Sequence, residues 1–424
     1  MTAIGHHDLA VIGLGYVGMP LARAATAAGM RVLGFDTDAA LVGRLSGGSS
    51  HIDDLEDADV QKMLDAGFSA TSDPALLGTA DAVVICVPTP LGPDGGPDLR
   101  AVERAGDAVA GVLRPGMLVV LESTTYPGTT EEVLRPLLER SGLVVGRDVH
   151  LAFSPERIDP GNERWGAANT PKVVGGCTPA CTAAAAAMYG RFIDTVVQVS
   201  GTREAEMAKL LENTYRHVNI ALVNEMSRFC HELGIDLWEV IDAAATKPFG
   251  FQAFRPGPGV GGHCIPIDPN YLSHNVRSRL GYAFRFVELA QEINSSMPSY
   301  VVHRIQSLLN DDARALRGAR VLLLGVTYKA DIADVRESPA VAVATLLLQE
   351  GAVLGYHDPH VPLWTVGTPP LESAVDLEAA VAEADIVVLL QNHSAYDLPD
   401  LGSRAHRLFD TRGVVPHAPS VTSL

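Results

Sequence analysis

Four stretches of the sequence hold side chains whose types and spacing could do chemistry. The first is Gly13-Leu14-Gly15-Tyr16-Val17-Gly18. It closes an apolar run, opens a helical pattern, and is followed by Asp36 at the end of the next apolar run. In that context a glycine-rich turn holds a dinucleotide. Gly13 would allow the tight turn and Gly15 the approach of backbone to a pyrophosphate at a helix N-terminus. Gly18 would let helix and strand pack closely. A carboxylate at Asp36 would take ribose hydroxyls and repel a 2′-phosphate, so NAD is expected over NADP.

The second stretch is Gly261-Gly262-His263-Cys264-Ile265-Pro266-Ile267-Asp268. Adjacent glycines let backbone come close to a ligand, and Cys264 has an acidic residue four positions on. A nucleophilic thiol needs accessible, tuned surroundings and a base nearby. A cysteine is otherwise a small buried hydrophobe, and local chemistry leaves both readings open. In the third stretch Lys209 and Asn213 stand at i and i+4, on one helical face. A lysine beside a carboxamide suits a developing oxyanion, although a solvated helix face is the commoner meaning of such a pair. The fourth is a pair of strand ends, Glu122-Ser123-Thr124-Thr125 and Ser154-Pro155-Glu156-Arg157. Ligands of open α/β sheets sit at the carboxyl ends of strands.

These residues need elements to hold them. Apolar runs at 9–15, 31–36, 80–90, 116–125 and 149–156 alternate with helical patterns, one of them Ala-rich at 20–29. Such alternation predicts a parallel sheet covered on both faces. From 204 to about 233 the apolar residues keep the 3.6 period of one long helix. Further helices are predicted at about 237–245 and 283–309, with no strand among them. From 318 the first pattern returns. A strand runs into the turn at 319–329, and a helix over 338–351 has Ser338 as N-cap and Pro339 at its first position. Strands follow at 352–358, 384–393 and 406–413. The fold class is therefore α/β: two doubly wound Rossmann-like domains joined by a helical connector with one long central helix. The expected divisions are 1–200, 201–312 and 313–424. The long apolar helix needs more partner surface than one connector offers, so a homodimer or higher homo-oligomer is expected through it.

Composition narrows the function class. With 32 basic and 50 acidic side chains the 424-residue chain carries a net charge of −18, the opposite of a nucleic-acid footprint. A content of 19% charged and 47% hydrophobic residues excludes whole-chain disorder. Only five lysines occur, Lys62, Lys172, Lys209, Lys247 and Lys329, which reads as a coding bias toward arginine. The five cysteines are too few and too irregular for a disulfide scaffold or a zinc knuckle. Cys177 and Cys181 have no His pair at ligand spacing, so no metal is expected. No signal-peptide pattern opens the chain and no apolar stretch reaches transmembrane length. A cytoplasmic protein with no membrane or nucleic-acid partner is expected.

Taken together, these motifs resemble the nucleotide-sugar 6-dehydrogenases of the UDP-glucose/GDP-mannose dehydrogenase superfamily. The resemblance runs from VIGLGYVGMPLA to FDTRG. Its most specific blocks are KLLENTYRHVNIALVNEM, DAAATKPFGF and PGPGVGGHCIPIDPNYL. With SPERIDPGN they look closest to the UDP-N-acetylglucosamine 6-dehydrogenase branch. The resemblance implies that Cys264 traps a C6 aldehyde as a thiohemiacetal and then carries a thioester. Lys209 and Asn213 would stabilise oxyanions, and Asp268 would position water or act as a base with Lys209. Thr124 and Glu156 would assist water in thioester hydrolysis. Tyr16, Val17, Pro88, Thr89, Ser123 and Thr124 fall on the cofactor side with the glycines and Asp36. Lys329 and Arg336 match positions near the junction of cofactor and substrate. Arg157, Arg255, Gly261, Tyr271 and Arg412 match the substrate side. One departure stands out: plain UDP-glucose enzymes commonly carry a second glutamate four residues after the Glu156 position, and here Pro160 stands there. This favours an N-acetylated sugar.

A chemical check agrees with that assignment. Oxidising a primary alcohol to an acid removes four electrons and needs two NAD, and a covalent thiol tether keeps the intermediate aldehyde from being lost. The C-terminal domain has a strand-end Asp358 but no GxGxxG, which suits the UDP end of the substrate. UDP-N-acetylmannosamine and UDP-glucose are the rival substrates. A two-electron dehydrogenase, with Cys264 a packing residue, and a non-catalytic NAD-binding protein are the rival functions.

Overall fold

The computed structural model describes residues 5–52, 55–92, 96–158, 162, 164–262, 265 and 268–424. The chain forms two compact units, one of residues 1–212 with 270–280 and the other of residues 213–269 with 281–424.

The first unit is built on an eight-stranded sheet. Its strands run spatially as Phe68–Thr71, Val32–Phe35, His7–Ile12, Ala80–Ile85, Leu118–Leu121, His150–Phe153, Lys172–Gly176 and Val196–Gln198. All neighbours are parallel except His150–Phe153 with Lys172–Gly176. Successive side chains of a strand point to opposite faces, and both faces are buried. Leu9, Val11, Ala82 and Val84 enter one core. Ala10, Ile12, Val83 and Ile85 enter the other. This is why the strands read as unbroken apolar runs rather than alternating ones. The sequence reading finds five of the strands and misses Phe68–Thr71, Lys172–Gly176 and Val196–Gln198; the first and last are short, partly exposed edge strands, and the second is buried throughout.

The second unit repeats the plan with five parallel strands in the order Val353–His357, Arg320–Leu324, Ile386–Leu389, Leu408–Asp410 and Val421–Ser423. Val321 and Leu323 face one core, Leu322 and Leu324 the other. The helix Pro339–Glu350 starts as predicted: Ser338 accepts the N–H of Ala340 and Pro339 follows it.

The long helix is Thr202–Glu232. It gives residues up to Glu212 to the first unit and from Asn213 to the second. Leu237–Ala245 and Arg285–Asp311 are the other predicted helices. A further helix, Asp268–Leu280, has no counterpart in the sequence reading.

Candidate active site

The glycine turn has the geometry a dinucleotide requires. Gly13 has φ +91°, and a Cβ there would stand 2.6 Å from the carbonyl oxygen of Cys86. A Cβ at Gly18 would come within 1.9 Å of the carbonyl oxygen of Gly13. Around Gly15, by contrast, nothing lies within 4 Å of where a Cβ would be. The helix Gly18–Ala27 behind the turn carries no side-chain cap on its N-terminal N–H groups, and Val17 holds the cap position. A helix start without a side-chain cap beside an open glycine suits an anion. Asp36 stands half-buried at the end of its strand. It accepts the Leu14 N–H at 3.0 Å through Oδ2 and the Asp38 N–H at 3.0 Å through Oδ1.

Two loops at the next strand ends are latched together. Ser123 Oγ donates to the Val87 carbonyl at 2.7 Å, and Thr89 Oγ1 donates to the Thr124 carbonyl at 2.8 Å. Pro88 lies between the two latched positions. Tyr271, expected on the substrate side, is fully buried with its hydroxyl donated to the Thr89 carbonyl. It anchors this loop.

A charged cluster lies under these loops. Glu122, at the end of one strand, is 1% exposed, and Lys172 is 6% exposed. Lys172 Nζ lies 2.9 Å from Glu122 Oε2 and 3.7 Å from Glu156 Oε2. Tyr189 donates its hydroxyl to Glu122 Oε1, and Glu156 Oε1 accepts the Ile158 N–H. Burial pushes Glu122 up to about 7. Burial also opposes the charge on Lys172, but the carboxylates of Glu122 and Glu156 hold it above its ordinary value. Burial and the same two carboxylates push the Cys86 thiol well up. Sequence reasoning names Glu122 and Glu156 but gives Lys172 no role; its only signal was being one of five lysines. Arg157 pairs with Glu212 and donates to the Pro171 carbonyl at 2.7 Å.

On the long helix Lys209 is 5% exposed and Asn213 3% exposed. Burial removes the solvated-face alternative for this pair. In the second unit Asn213 donates Nδ2 to Asp268 Oδ2 at 2.5 Å, and Arg216 donates to Asn213 Oδ1. Asp268 opens its helix and is 2% exposed. Cys264 and Pro160 lie outside the described residues. Gly261 packs on Tyr328 and Glu337, where a Cβ would come within 2.8 Å of the Glu337 carbonyl oxygen. Gly261, Thr327, Tyr328, Ser338, Gln391 and Arg412 line a small cavity. Burial lowers Arg412, partly countered by Asp410. Asp410 in turn accepts the N–H groups of Arg412, Gly413, Val414 and Val415 at 2.7–2.9 Å, which fixes the DTRG turn. Arg336 makes a two-pronged pair with Asp334, at 2.8 Å through Nε. Lys329 is half-buried, and its carbonyl accepts from Thr327. Arg255 is exposed, paired with Asp242 and set over the Trp238 ring.

Asp331, His360 and His393 bring three metal-capable atoms within 4.8 Å of one another. His393 has no lone pair to offer, however. Its Nε2 faces Asp358 Oδ2 at 3.0 Å, and its Nδ1 accepts the Asp331 N–H at 2.9 Å. For Asp358, burial works against ionisation, but hydrogen bonds from His393, Val326 and His360 outweigh it. The cluster is a hydrogen-bonded strut.

Comparison with known proteins gives this arrangement its family. Residues 7–193 match the NAD binding domain of the UDP-glucose/GDP-mannose dehydrogenase family, 203–296 its central domain and 322–417 its UDP binding domain. The chain belongs to this family. It is an NAD-dependent nucleotide-sugar dehydrogenase. A UDP-N-acetyl-D-mannosamine dehydrogenase of Salmonella typhi is 36% identical over 96% of this chain and 98% of its own length. An NDP-N-acetyl-D-galactosaminuronic acid dehydrogenase of Ralstonia nicotianae is 36% identical over 97% of each chain. The solved structure of a UDP-D-ManNAc dehydrogenase from Pyrococcus horikoshii has a TM-score of 0.89 and 31% identity, covering 98% of each chain. The expected closeness to UDP-N-acetylglucosamine enzymes finds no support in these relatives, which carry the names of other N-acetylated sugars.

Proposed function

We propose that this dehydrogenase oxidises the C6 alcohol of a UDP-N-acetylhexosamine to the uronate, with UDP-N-acetylmannosamine its preferred substrate. The observation that carries this reading is the 36% identity, over nearly the full length, to a UDP-N-acetyl-D-mannosamine dehydrogenase. Pro160, in place of a second glutamate, supports the N-acetylated class. Bound NAD supplies the hydride acceptor for both oxidations. The chain supplies the rest. The Cys264 thiol adds to the C6 aldehyde and then holds the acyl group until water releases it. Lys209 and Asn213 stabilise oxygen anions. Asp268, tied to Asn213, positions water or takes a proton together with Lys209. Thr124 and Glu156 assist the hydrolytic water. Arg157, Arg255, Gly261 and Arg412 serve the nucleotide sugar. Lys329 and Arg336 serve the junction of cofactor and substrate. Residues 1–200 serve the cofactor, 201–312 carry the cysteine loop and the contact between copies in a homodimer, and 313–424 serve the UDP end.

A screen of UDP-N-acetylmannosamine, UDP-N-acetylglucosamine, UDP-N-acetylgalactosamine, UDP-glucose and GDP-mannose with NAD tests the reading. Two NADH per sugar and the highest kcat/KM on UDP-N-acetylmannosamine are expected. A higher value on UDP-N-acetylglucosamine would move the choice at one stereocentre. A higher value on UDP-glucose would remove the N-acetyl reading. One NADH per sugar would replace the tethered reaction by a two-electron oxidation.

A further inference from the structure

The Glu122–Lys172–Glu156 cluster holds more charge than stability asks for. A buried ammonium needs one carboxylate to neutralise it, and here two carboxylates share it. With both ionised the set carries a net negative charge out of water, at a cost of several kcal/mol if uncompensated. Such an arrangement in a strand-end cluster is a mark of function rather than packing. We propose that Lys172 is the positioning residue for Glu156: its ammonium, anchored on Glu122, holds the Glu156 carboxylate in the place from which it serves the water that releases the product. This rests on the tethered four-electron reading given above.

The geometry is specific. Glu156 is 8% exposed at its side chain. Its Oε1 is taken by the Ile158 N–H, while its Oε2 is buried with no hydrogen-bond donor among the described residues. That Oε2 is the oxygen facing Lys172, at 3.7 Å, too long for a hydrogen bond and short enough for charge stabilisation. That oxygen is thus not spent on a hydrogen bond among the described residues, and the ammonium beside it holds it in place by charge. Lys172 itself is fixed from two sides, by Glu122 at 2.9 Å and by the Tyr189 ring at 5.2 Å. Its place follows from topology. The strand Lys172–Gly176 runs antiparallel to His150–Phe153, with Phe153 opposite Gly175 and Ala152 opposite Gly176. Continuing that register sets Lys172 across from Glu156, at the carboxyl end of the parallel strands. A parallel strand would have placed its first residue at the other end of the sheet.

In the step assigned to Glu156, the water oxygen bonds to the acyl carbon and the carbon–sulfur bond breaks. The electron pair stays on the Cys264 sulfur as thiolate. One water proton passes to Glu156 Oε2, and the second leaves when the new acid ionises. No electrons change hands in this step. The groups facing Glu122 are Lys172, Glu156, the Tyr189 hydroxyl and the Cys86 thiol, with Lys209 acting on Cys86 from farther off. Among these groups only Lys172 brings a positive charge to ion-pair distance of Glu156.

The experiment follows the two half-reactions in the full enzyme. On mixing Lys172→Met with NAD and the best substrate of the screen, the first equivalent of NADH should form within about threefold of the wild-type rate. Turnover should fall at least about a hundredfold, the usual scale of a catalytic proton acceptor. Intact-mass measurement should find the uronyl adduct on Cys264 accumulating. Glu156→Gln should trap the same adduct, and in the double variant the two losses should not add. Lys172→Arg, which keeps the cation, should restore turnover to within about tenfold of wild type. Equal slowing of the first NADH, turnover within threefold of wild type, or additive losses would overturn the proposal. If Lys172→Met no longer binds NAD or melts without cooperativity, Lys172→Arg decides: turnover within about tenfold of wild type supports the proposal, and a loss of about a hundredfold or more with NAD binding intact overturns it. If the wild type itself yields one NADH per sugar and no adduct, the tethered reading falls, and this inference with it.

Discussion

At the scale of single residues, Asp36 has two tasks that a substitution can separate. The sequence reading assigns it to the ribose, and in the structure it accepts the Leu14 N–H that shapes the glycine turn. Asp36→Asn keeps a carbonyl acceptor for Leu14 while removing the charge that repels a 2′-phosphate. It should narrow the NAD over NADP preference in kcat/KM by at least about tenfold, which is about 1.4 kcal/mol, although its NH2 then faces the exposed Asp38 N–H. Asp36→Ala should narrow the preference and lower NAD affinity as well, because the turn loses its tether. If neither variant moves the ratio, another group discriminates. Glu206 is a second case, with 1% exposure and no assigned role in the chemistry. It accepts the Gly128 N–H at 2.5 Å and the N–H and hydroxyl of Thr130 at 2.9 and 2.7 Å. Both its oxygens face donors. A glutamine has one oxygen and one NH2, so Glu206→Gln sets a donor against a donor. Chemical denaturation should show a loss of about 2 kcal/mol; a loss under about 0.5 kcal/mol would mean that the loop rearranges at little cost.

At the scale of elements, the two α/β units use one device twice. In the first, Asp36 at a strand end accepts the Leu14 N–H from the turn after the first strand. In the second, Asp358 at a strand end accepts the Val326 N–H from the corresponding turn, at 2.7 Å. Gly13 packs against the carbonyl of Cys86, and Gly325 in the same way against that of Gln391. The difference lies in what surrounds the acid: Asp36 is half-buried, whereas Asp358 is buried against His393. Much of this was legible, because buried parallel strands write themselves as apolar runs and helix starts as Ser-Pro. The helix Asp268–Leu280 was not, since Pro266 and Pro269 read as breakers although a proline in the first turn is tolerated. Lys172 was not either, because its meaning depends on an antiparallel pairing between distant segments that no local period encodes. A test at this scale is Gly18→Ala. Its Cβ would meet backbone at 1.9 Å, so the helix must retreat from the strand. NAD affinity should fall more than tenfold by calorimetry while the affinity for UDP stays within twofold. Unchanged NAD affinity would mean that the turn does not hold the pyrophosphate.

At the scale of the whole molecule, the long helix is turned inside out. Its inward residues include Asn213, Thr214, His217, Asn224 and Ser227, all buried and polar. Asn224 is fixed by hydrogen bonds to Asn294 and to the Gly257 N–H, each at 2.9 Å. Its outward residues include Leu211, Tyr215, Leu222 and Phe229, with Leu211 62% and Leu222 54% exposed. They follow one another at four and seven positions, the spacing of a seam that packs on another helix. A monomer has no use for an apolar stripe on the wet side and a polar network on the dry side. A second copy does, since a twofold axis sets the same stripe against itself. Fully burying one such leucine contributes about 1.5–3 kcal/mol, and symmetry counts it twice. The protein should therefore sediment as a dimer or larger at micromolar concentration. Leu222→Asp should shift it toward monomer, while Glu225→Gln, a polar change on the same helix, should not. The inward network is untouched by Leu222→Asp, so the variant should keep its helical circular dichroism. A wild type that sediments as a monomer at tens of micromolar would leave the stripe without a partner copy and remove the homodimer.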